Sequence, residues 1–251
     1  LLSRRQRQMC IRDSTMGKDV IVACDMPDKG SVMAFLERFG DERPYIKIGM
    51  ELFYAEGPQV VRELKERGHS IFLDLKLCDI PNTVRGAMRS LRPLGVDIIN
   101  LHAFGGGDMM RAAAEGLTDE NGERHTKLIA VTILTSTSED VLRRELLIDT
   151  PLSDTCIAYA KNAKSAGLDG VVCSPLESPV VHEHCGEGFL TVTPGVRFAG
   201  GERGDQVRVT TPERARELGS DYIVMGRPIT GADDPVAAWK RARAEFCGGD
   251  M

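Results

Sequence analysis

Residues 71–83 read IFLDLKLCDIPNT, a short apolar run that is interrupted by three charged residues. Because successive side chains of a β-strand point to opposite faces, the pattern predicts a strand with Asp74 and Lys76 on the same face. A second acidic residue, Asp79, follows where Ile80 and Pro81 end the strand and begin a turn. Charges in a buried strand are costly unless they are paired, so the stretch predicts either a structural ion pair or a catalytic charge network.

The composition of the 251-residue chain is that of an ordinary globular protein, with 42% hydrophobic and 27% charged residues. Its net charge of −5 argues against a general nucleic-acid-binding or membrane-binding surface, and it leaves room for a local phosphate site. The sequence has no apolar run of about 18 residues, so we expect no membrane span. Seven scattered cysteines without a Cys-x-x-Cys pair predict free thiols, a reducing cytoplasm and no zinc site.

Residues 1–15 read LLSRRQRQMCIRDST and differ in character from the rest of the chain, because they carry four arginines and no strand or helix pattern. The segment also lacks the central apolar region of a signal peptide. We therefore expect a leader that is non-native or disordered, with Met16 as the natural start. No linker rich in Pro, Gly or Ser divides the remainder, which predicts a single domain over residues 16–251.

Eight short apolar runs alternate with amphipathic segments along the rest of the chain. The predicted strands cover 20–24, 45–48, 71–76, 96–101, 128–134, 170–173, 189–192 and 222–225. Strands that alternate with helices favour a parallel sheet, and eight such units in this length predict a (β/α)₈ TIM barrel of the α/β class. The alternative is a doubly wound open sheet, but residues 24–28 read CDMPD and are not a glycine-rich dinucleotide loop.

Polar residues lie at or just after the C-terminal ends of most of the predicted strands, where barrels of this kind carry their active sites. They are Asp25, Lys47, Asp74, Lys76, Asp79, His102, Thr135, Ser136, Arg197 and Arg227. The fold would bring these residues to one rim, which favours a catalytic charge network over an isolated ion pair. His182 and His184 lie apart from this set and predict a solvated helix end, since their spacing puts them on different sides of a helix.

Residues 74–83, DLKLCDIPNT, resemble the D-x-K-x-x-D-I-P-x-T signature of the orotidine 5′-phosphate decarboxylase family. Cys78 departs from the family pattern, in which His or an aromatic residue is frequent. The resemblance covers nearly all of Met16 to Phe246. Its further pieces are Asp25, Lys47-Ile48-Gly49, Leu134-Thr135-Ser136, Thr193-Pro194-Gly195-Val196-Arg197, Asp205-Gln206 and Gly226-Arg227-Pro228-Ile229-Thr230.

The resemblance implies a cofactor-free and metal-free conversion of orotidine 5′-phosphate to UMP in de novo pyrimidine biosynthesis. Lys76 fits as the cation and general acid that protonates the pyrimidine carbon after CO₂ leaves. The resemblance further implies an alternating network of Lys47, Asp74, Lys76 and Asp79, and a homodimer in which Asp79 and Thr83 reach the neighbouring site. Substrate would contact Asp25, Lys47, Asp74, Ile80, Thr83, Thr135, Ser136, Pro194, Arg197, Gln206, Gly226 and Arg227.

Some alternatives stay open at this point. The polar segment 198–205 is typical of a mobile lid over the phosphate, and a disordered surface loop is the alternative. A related Mg²⁺-dependent enzyme, such as a 3-keto-gulonate phosphate decarboxylase or hexulose phosphate synthase, would carry an acidic ligand after the second strand, where this chain has Lys47. A non-catalytic nucleotide-binding barrel would be expected to lack Asp74 or Lys76, and both are present.

Overall fold

The alternation of apolar strands and amphipathic helices produces a closed barrel of parallel strands in a computed structural model, which describes residues 18–200 and 209–248. Each strand pairs with its successor along the chain, and β8 pairs with β1. The predicted (β/α)₈ barrel is therefore confirmed, and the open-sheet alternative is wrong. The strands are β1 (Asp19–Ala23), β2 (Tyr45–Gly49), β3 (Ile71–Leu77), β4 (Ile98–His102), β5 (Lys127–Val131), β6 (Gly170–Val172), β7 (Leu190–Thr193) and β8 (Tyr222–Met225).

Helices cover the outside of the barrel. They are α1 (Lys29–Glu37), α2 (Met50–Glu56), α3 (Pro58–Glu66), α4 (Pro81–Leu91), α5 (Gly106–Leu117), α6 (Glu139–Arg144), α7 (Leu152–Ser165), α8 (Ser178–Cys185), α9 (Pro212–Glu217), α10 (Arg227–Thr230) and α11 (Pro235–Cys247). Among the described residues, no helix is long and apolar enough to cross a membrane. The predicted leader, residues 1–15, lies outside the part of the chain that the structure describes.

The core has two layers because each strand buries both of its faces. One layer fills the barrel interior and includes Ile21, Phe72, Ile98, Ile129, Val192 and Val224. The other lies between the strands and the helices, and from β3 it takes Ile71, Leu73 and Leu75. The predicted division of β3 into two faces is therefore correct, and Asp74 lies on the interior side.

Two elements differ from the pattern in the sequence. Helix α2 is not predicted by periodicity, because Leu52 is its only buried residue and it therefore shows no apolar stripe. Gly57, with a φ of 66°, separates α2 from α3. Three successive glycines, 105–107, are typical of a turn, but Gly106 and Gly107 form the first residues of α5.

Candidate active site

Strand β3 ends in a bulge that sets the geometry of the site. Its pairing with β4 is regular as far as Leu73, which lies opposite Ile99, and it resumes with Leu77 opposite Leu101. Three residues of β3, 74–76, thus face the single residue Asn100 of β4. Lys76 takes up a left-handed backbone with a φ of 51°, which is unfavourable for a residue other than glycine. Such strain is frequent at functional sites, and here it redirects the lysine at the end of the strand.

Four charged side chains of alternating sign lie in a row at this end of the barrel. Asp74 Oδ1 is 2.7 Å from Lys76 Nζ, and Asp74 Oδ2 is 3.2 Å from Lys47 Nζ. Lys47 Nζ lies in turn 2.8 Å from Asp25 Oδ1. The side chains of Lys47 and Asp74 are only 10% and 9% exposed, whereas that of Asp25 is 57% exposed. The row, called the charge chain below, therefore has a buried centre and an open end at Asp25.

The pairing keeps the central groups ionised. Burial alone would raise the pKa of Asp74, but the charges of Lys47 and Lys76 and the hydrogen bonds that Asp74 accepts hold it below its ordinary value. Burial alone would lower the pKa of Lys47, but Asp74 and Asp25 outweigh that effect and raise it. The interior of the barrel thus holds a carboxylate and an ammonium group that stay charged around neutral pH.

Asn100 is the polar residue of the site that the sequence pattern did not single out. Its side chain is fully buried, and its Nδ2 donates to Asp74 Oδ1 at 2.6 Å. Its Oδ1 accepts from the backbone N–H of Lys76 at 2.8 Å. In the sequence it lies inside an apolar run, 98–101. No feature of that run predicts the bulge on the neighbouring strand.

Gly49 gives the charge chain its space. A Cβ atom at this position would lie 2.9 Å from Asp25 Oδ1 and 3.2 Å from Lys47 Nζ. The backbone φ of Gly49 is −90°, which any residue can adopt, so the reason for a glycine here is the space and not the conformation.

The charge chain lies in a cleft at the C-terminal ends of the strands. One half, a cavity of about 500 Å³, is lined by Arg197, Gly226, Arg227 and Thr230 among others. The other half, of about 260 Å³, is lined by Asp74, Lys76, Thr135 and Ser136 among others. Residues that border both halves are Asp25, Lys47, Pro194 and Val224. The cleft is thus polar and cationic at one end and holds the Asp74–Lys76 pair at the other.

The two arginines of the cleft come from the loops after the last two strands. Val196, which follows β7, forms a parallel bridge with Thr210. The backbone N–H of Arg197 donates to Thr210 O at 2.9 Å, and its guanidinium donates to Val196 O at 2.9 Å. Arg227 opens the short helix α10, whose first turn is closed by a hydrogen bond from Ile229 N to Gly226 O at 2.8 Å. The backbone beside each arginine is thus held by hydrogen bonds.

Of the predicted site residues that the structure describes, three lie outside the cleft. Asp79, Ile80 and Thr83 are exposed on the surface beside it, and the Asp79 carboxylate accepts the backbone N–H of Ile80 at 2.6 Å. Gln206 and most of the predicted lid, residues 201–205, lie outside the described residues. At the start of that segment, the ring of Phe198 packs under the guanidinium of Arg241, 4.2 Å from ring centroid to Cζ.

Other candidate side chains have simpler explanations. The His102 ring lies 4.8 Å from the ring of Phe104, and its pKa is lowered by burial and by the nearby charge of Lys76. Burial and the charge of Asp79 raise the pKa of the exposed Cys78, which opposes a nucleophilic thiolate. The prediction that His182 is solvated was wrong, because its ring is buried and its Nε2 lies 3.2 Å from Asp221 Oδ2.

Known proteins resemble this chain over nearly its whole length. A curated orotidine 5′-phosphate decarboxylase of Bacillus cereus (strain Q1) is 54% identical over 235 residues, covering 93% of this chain and 99% of the relative. The crystal structure of orotidine 5′-phosphate decarboxylase from Lactobacillus acidophilus is 44% identical with a TM-score of 0.81, covering 91% and 98%. That of an uncharacterized conserved protein from Geobacillus kaustophilus is 48% identical with a TM-score of 0.80, covering 90% and 99%. Residues 18–242 match the profile of the orotidine 5′-phosphate decarboxylase / HUMPS family, and the chain belongs to that family.

Proposed function

We propose that the chain decarboxylates orotidine 5′-phosphate to UMP in pyrimidine biosynthesis, without a metal ion or an organic cofactor. The observation that carries the proposal is the order of groups along the cleft. Two arginines line one end, Asp25 and Lys47 lie in the middle, and Lys76 lies with Thr135 and Ser136 at the other end. A nucleoside monophosphate presents its phosphate, ribose and base in the same order.

Each part of the substrate then has its own contacts. Arg197 and Arg227 bind the phosphate together with the backbone at Gly226, in the place after strands 7 and 8 where barrels of this type often bind phosphate. Asp25 and Lys47 bind the ribose hydroxyls. Thr135 and Ser136 bind the pyrimidine, and Pro194 packs where the two halves of the cleft meet. Gln206 is assigned to a place between the phosphate and the base.

Lys76 supplies the proton that the reaction requires. When CO₂ leaves, the bonding electrons stay on the pyrimidine carbon, which must be protonated to give UMP. The Lys76 ammonium donates a proton to that carbon, and before the transfer its positive charge stabilises the developing negative charge. The hydrogen bond from Lys76 Nζ to Asp74 Oδ1, 2.7 Å long, holds the ammonium in place before substrate arrives. Because the cation is already in position, its stabilising effect is the largest that the site contributes.

The carboxylate of Asp74 repels the carboxylate of the substrate. Two like charges about 4 Å apart repel by roughly 4 kcal/mol at an effective dielectric constant near 20. Relief of that repulsion would be worth about three powers of ten in rate if fully expressed in the transition state. Repulsion therefore assists, and the cation at Lys76 provides most of the acceleration.

The charge chain disfavours a divalent cation at the same place. The ammonium of Lys47 lies between Asp25 and Asp74, within 2.8 and 3.2 Å of their oxygens, and it would repel a metal ion there. Among the described residues, one group has the spacing of metal ligands: Asp119, Glu123 and His125. It precedes β5 and therefore lies at the opposite end of the barrel. These features favour a metal-free decarboxylase over a Mg²⁺-dependent relative.

The active unit is proposed to be a homodimer with composite sites. The large apolar side chains that the described part of the chain exposes are Met50, Tyr54, Ile80, Phe104, Leu134, Leu146, Leu147 and Leu176. All of them belong to segments that follow the C-terminal ends of β2 to β6. Exposed apolar side chains at the catalytic end suit a contact with a second copy of the chain. Asp79 and Thr83 are exposed near Ile80 in the sequence, and we assign them to the partner's cleft.

To test the function, orotidine 5′-phosphate is added to the purified protein in a buffer that contains EDTA. The change in pyrimidine absorbance over time then measures turnover. We expect turnover that Mg²⁺ does not increase. A folded sample that gives no turnover would contradict the proposal, and activity that depends on Mg²⁺ would favour the metal-dependent alternative.

Composite sites are tested by mixing two inactive variants, Lys76→Ala and Asp79→Ala. A mixed dimer restores one complete site, with Lys76 from one chain and Asp79 from the other, so activity is expected to return after subunit exchange. No recovery in a sample whose chains have exchanged would exclude the shared site.

A further inference from the structure

We propose that Asn100 is a positioning residue for the reaction, because its side-chain amide fixes the Lys76 backbone and the Asp74 carboxylate at the same time. The proposal rests on the proposed function, since it assigns Asn100 to the proton transfer of that site. Asn100 reaches neither cavity of the cleft, so it acts through its two neighbours.

The orientation of the amide follows from its partners. The backbone N–H of Lys76 can only donate, so the atom that faces it at 2.8 Å must be the carbonyl oxygen Oδ1. The Asp74 carboxylate can only accept, so the atom that faces it at 2.6 Å must be the Nδ2 amino group. The Asn100 side chain thus accepts one hydrogen bond and donates another. A side chain that lacks either an acceptor or a donor could not form both bonds.

The bulge explains why such a residue is needed. Residues 74–76 of β3 lie opposite Asn100 alone, so the strand ladder offers no carbonyl to the N–H of Lys76 at this point. The side chain of Asn100 takes the place of that missing carbonyl. It thereby holds a lysine in a left-handed backbone with a φ of 51°, which a lysine would otherwise avoid.

The burial of Asn100 also supports its role as a positioning residue. Two residues before it on the same face, Ile98 is part of the apolar barrel interior. An asparagine with no exposed surface at the next interior position is costly unless both of its polar groups are bonded. Its two observed partners are the proposed proton donor and the carboxylate that holds it, so the residue is best explained by the geometry it imposes on them.

Removing the amide is expected to lower kcat while leaving KM nearly unchanged. In Asn100→Ala, the Lys76 backbone loses its acceptor and the ammonium is no longer held at one place, so kcat should fall about 100-fold. KM should change by less than about threefold, because the phosphate and ribose contacts do not involve Asn100. Hydrogen exchange at the Lys76 amide, measured by NMR, should become roughly tenfold faster or more, because the amide loses its hydrogen bond.

A second variant tests the direction of the hydrogen bonds. Asn100→Asp keeps the size of the side chain and an acceptor for the Lys76 N–H, but it places a second carboxylate against Asp74. Two carboxylates in contact raise the pKa of one of them, so the acid limb of the kcat profile should move to higher pH. If Asn100→Ala does not fold, the Asn100→Asp variant still tests the proposal.

The matched control is Thr126→Val, which removes another buried hydrogen bond, from Thr126 Oγ1 to Val96 O at 2.8 Å, at the opposite end of the barrel. It should lower thermal stability and leave kcat and the pH profile unchanged. The proposal is overturned if the Asn100 variants keep the wild-type kcat and pH profile, or if Lys76 exchange does not change. If the wild-type protein itself does not turn over orotidine 5′-phosphate, the proposed function fails, and the Lys76 exchange still decides the positioning.

Discussion

Gly49 illustrates, at the scale of single residues, how little room the charge chain has. The two groups nearest to its missing side chain, Asp25 Oδ1 and Lys47 Nζ, form an ion pair of 2.8 Å with each other. A methyl group would lie within 3.2 Å of both, closer than nearly all real contacts of a Cβ atom. The pair can therefore keep its present geometry only beside a glycine.

Substitution of Gly49 by alanine is expected to damage catalysis more than stability. The methyl group displaces Asp25 or Lys47, and displacement of a binding group by a fraction of an ångström should lower kcat/KM roughly tenfold. The control is Gly188→Ala, since a Cβ at Gly188 meets no atom within 4 Å. Steady-state kinetics of both variants decide the point, and wild-type kcat/KM in Gly49→Ala would show that the pair has no role.

The sequence predicted the site residues that lie near the C-terminal end of a strand. Lys47, Asp74 and Lys76 each end or follow an apolar run, and the structure joins them in one row. Asn100 could not be found in this way, because its role depends on a bulge in the pairing of β3 with β4. His182 was misjudged for a related reason, since its partner Asp221 lies 39 residues away along the chain.

The contact between α4 and α5 matters most at the scale of elements, because α4 follows β3 directly and carries Thr83. Gly116 of α5 faces α4, and a Cβ at this position would overlap the backbone carbonyl of Arg85 and lie 3.0 Å from Met88 Cβ. The two helices therefore approach as closely as a glycine allows. Helical periodicity predicted both helices, but it cannot show which position lies at their closest approach.

Gly116→Ala is expected to lower the free energy of unfolding by about 1–3 kcal/mol, because the helices must separate to admit the methyl group. Gly107→Ala in the same helix is the control, since the atom nearest to its Cβ is the flexible guanidinium end of Arg111 at 3.1 Å. Denaturant unfolding monitored by circular dichroism measures both. Equal stability of Gly116→Ala and Gly107→Ala would mean that α4 and α5 leave room for a methyl group at position 116.

The whole molecule separates catalysis from stability by placing them at opposite ends of the barrel. At the N-terminal end, three aspartates that directly precede β4, β6 and β8 each accept a backbone N–H from the preceding strand. The pairs are Asp97 with Ile71 at 2.8 Å, Asp169 with Leu128 at 2.7 Å, and Asp221 with Thr191 at 2.7 Å. Each aspartate also has a basic partner, which is Lys65, Arg124 and His182 in turn. This arrangement joins neighbouring strands at the end of the barrel opposite the cleft.

The pair of His182 and Asp221 makes stability depend on pH. Its hydrogen bond with Asp221 raises the pKa of His182 in spite of burial, and the charges of Asp221 and Glu187 add to the effect. Burial would raise the pKa of Asp221, but its bonds with His182 and Thr191 lower it. The histidine's contribution is therefore complete below its ordinary pKa of about 6.5 and is lost as pH rises through the raised value. The aspartate's contribution is lost only as pH falls below the ordinary carboxylate range.

Between about pH 6 and pH 9, the wild-type protein should therefore lose on the order of 1 kcal/mol of stability relative to a His182→Gln variant. The exposed His184 is the matched control, and His184→Gln should follow the wild-type curve. Urea unfolding at both pH values gives the comparison. A wild-type curve parallel to that of His182→Gln would contradict the linkage.

The most direct test of the central claim is the kcat/KM for orotidine 5′-phosphate of Lys76→Ala beside the wild-type protein, both in EDTA. Loss of the proton donor should lower kcat/KM by about a thousandfold, while Lys47 still pairs with Asp74. Lys65→Ala, which breaks the ion pair with Asp97 at the other end of the barrel, should keep the wild-type value. Full activity of Lys76→Ala would contradict the proposed mechanism.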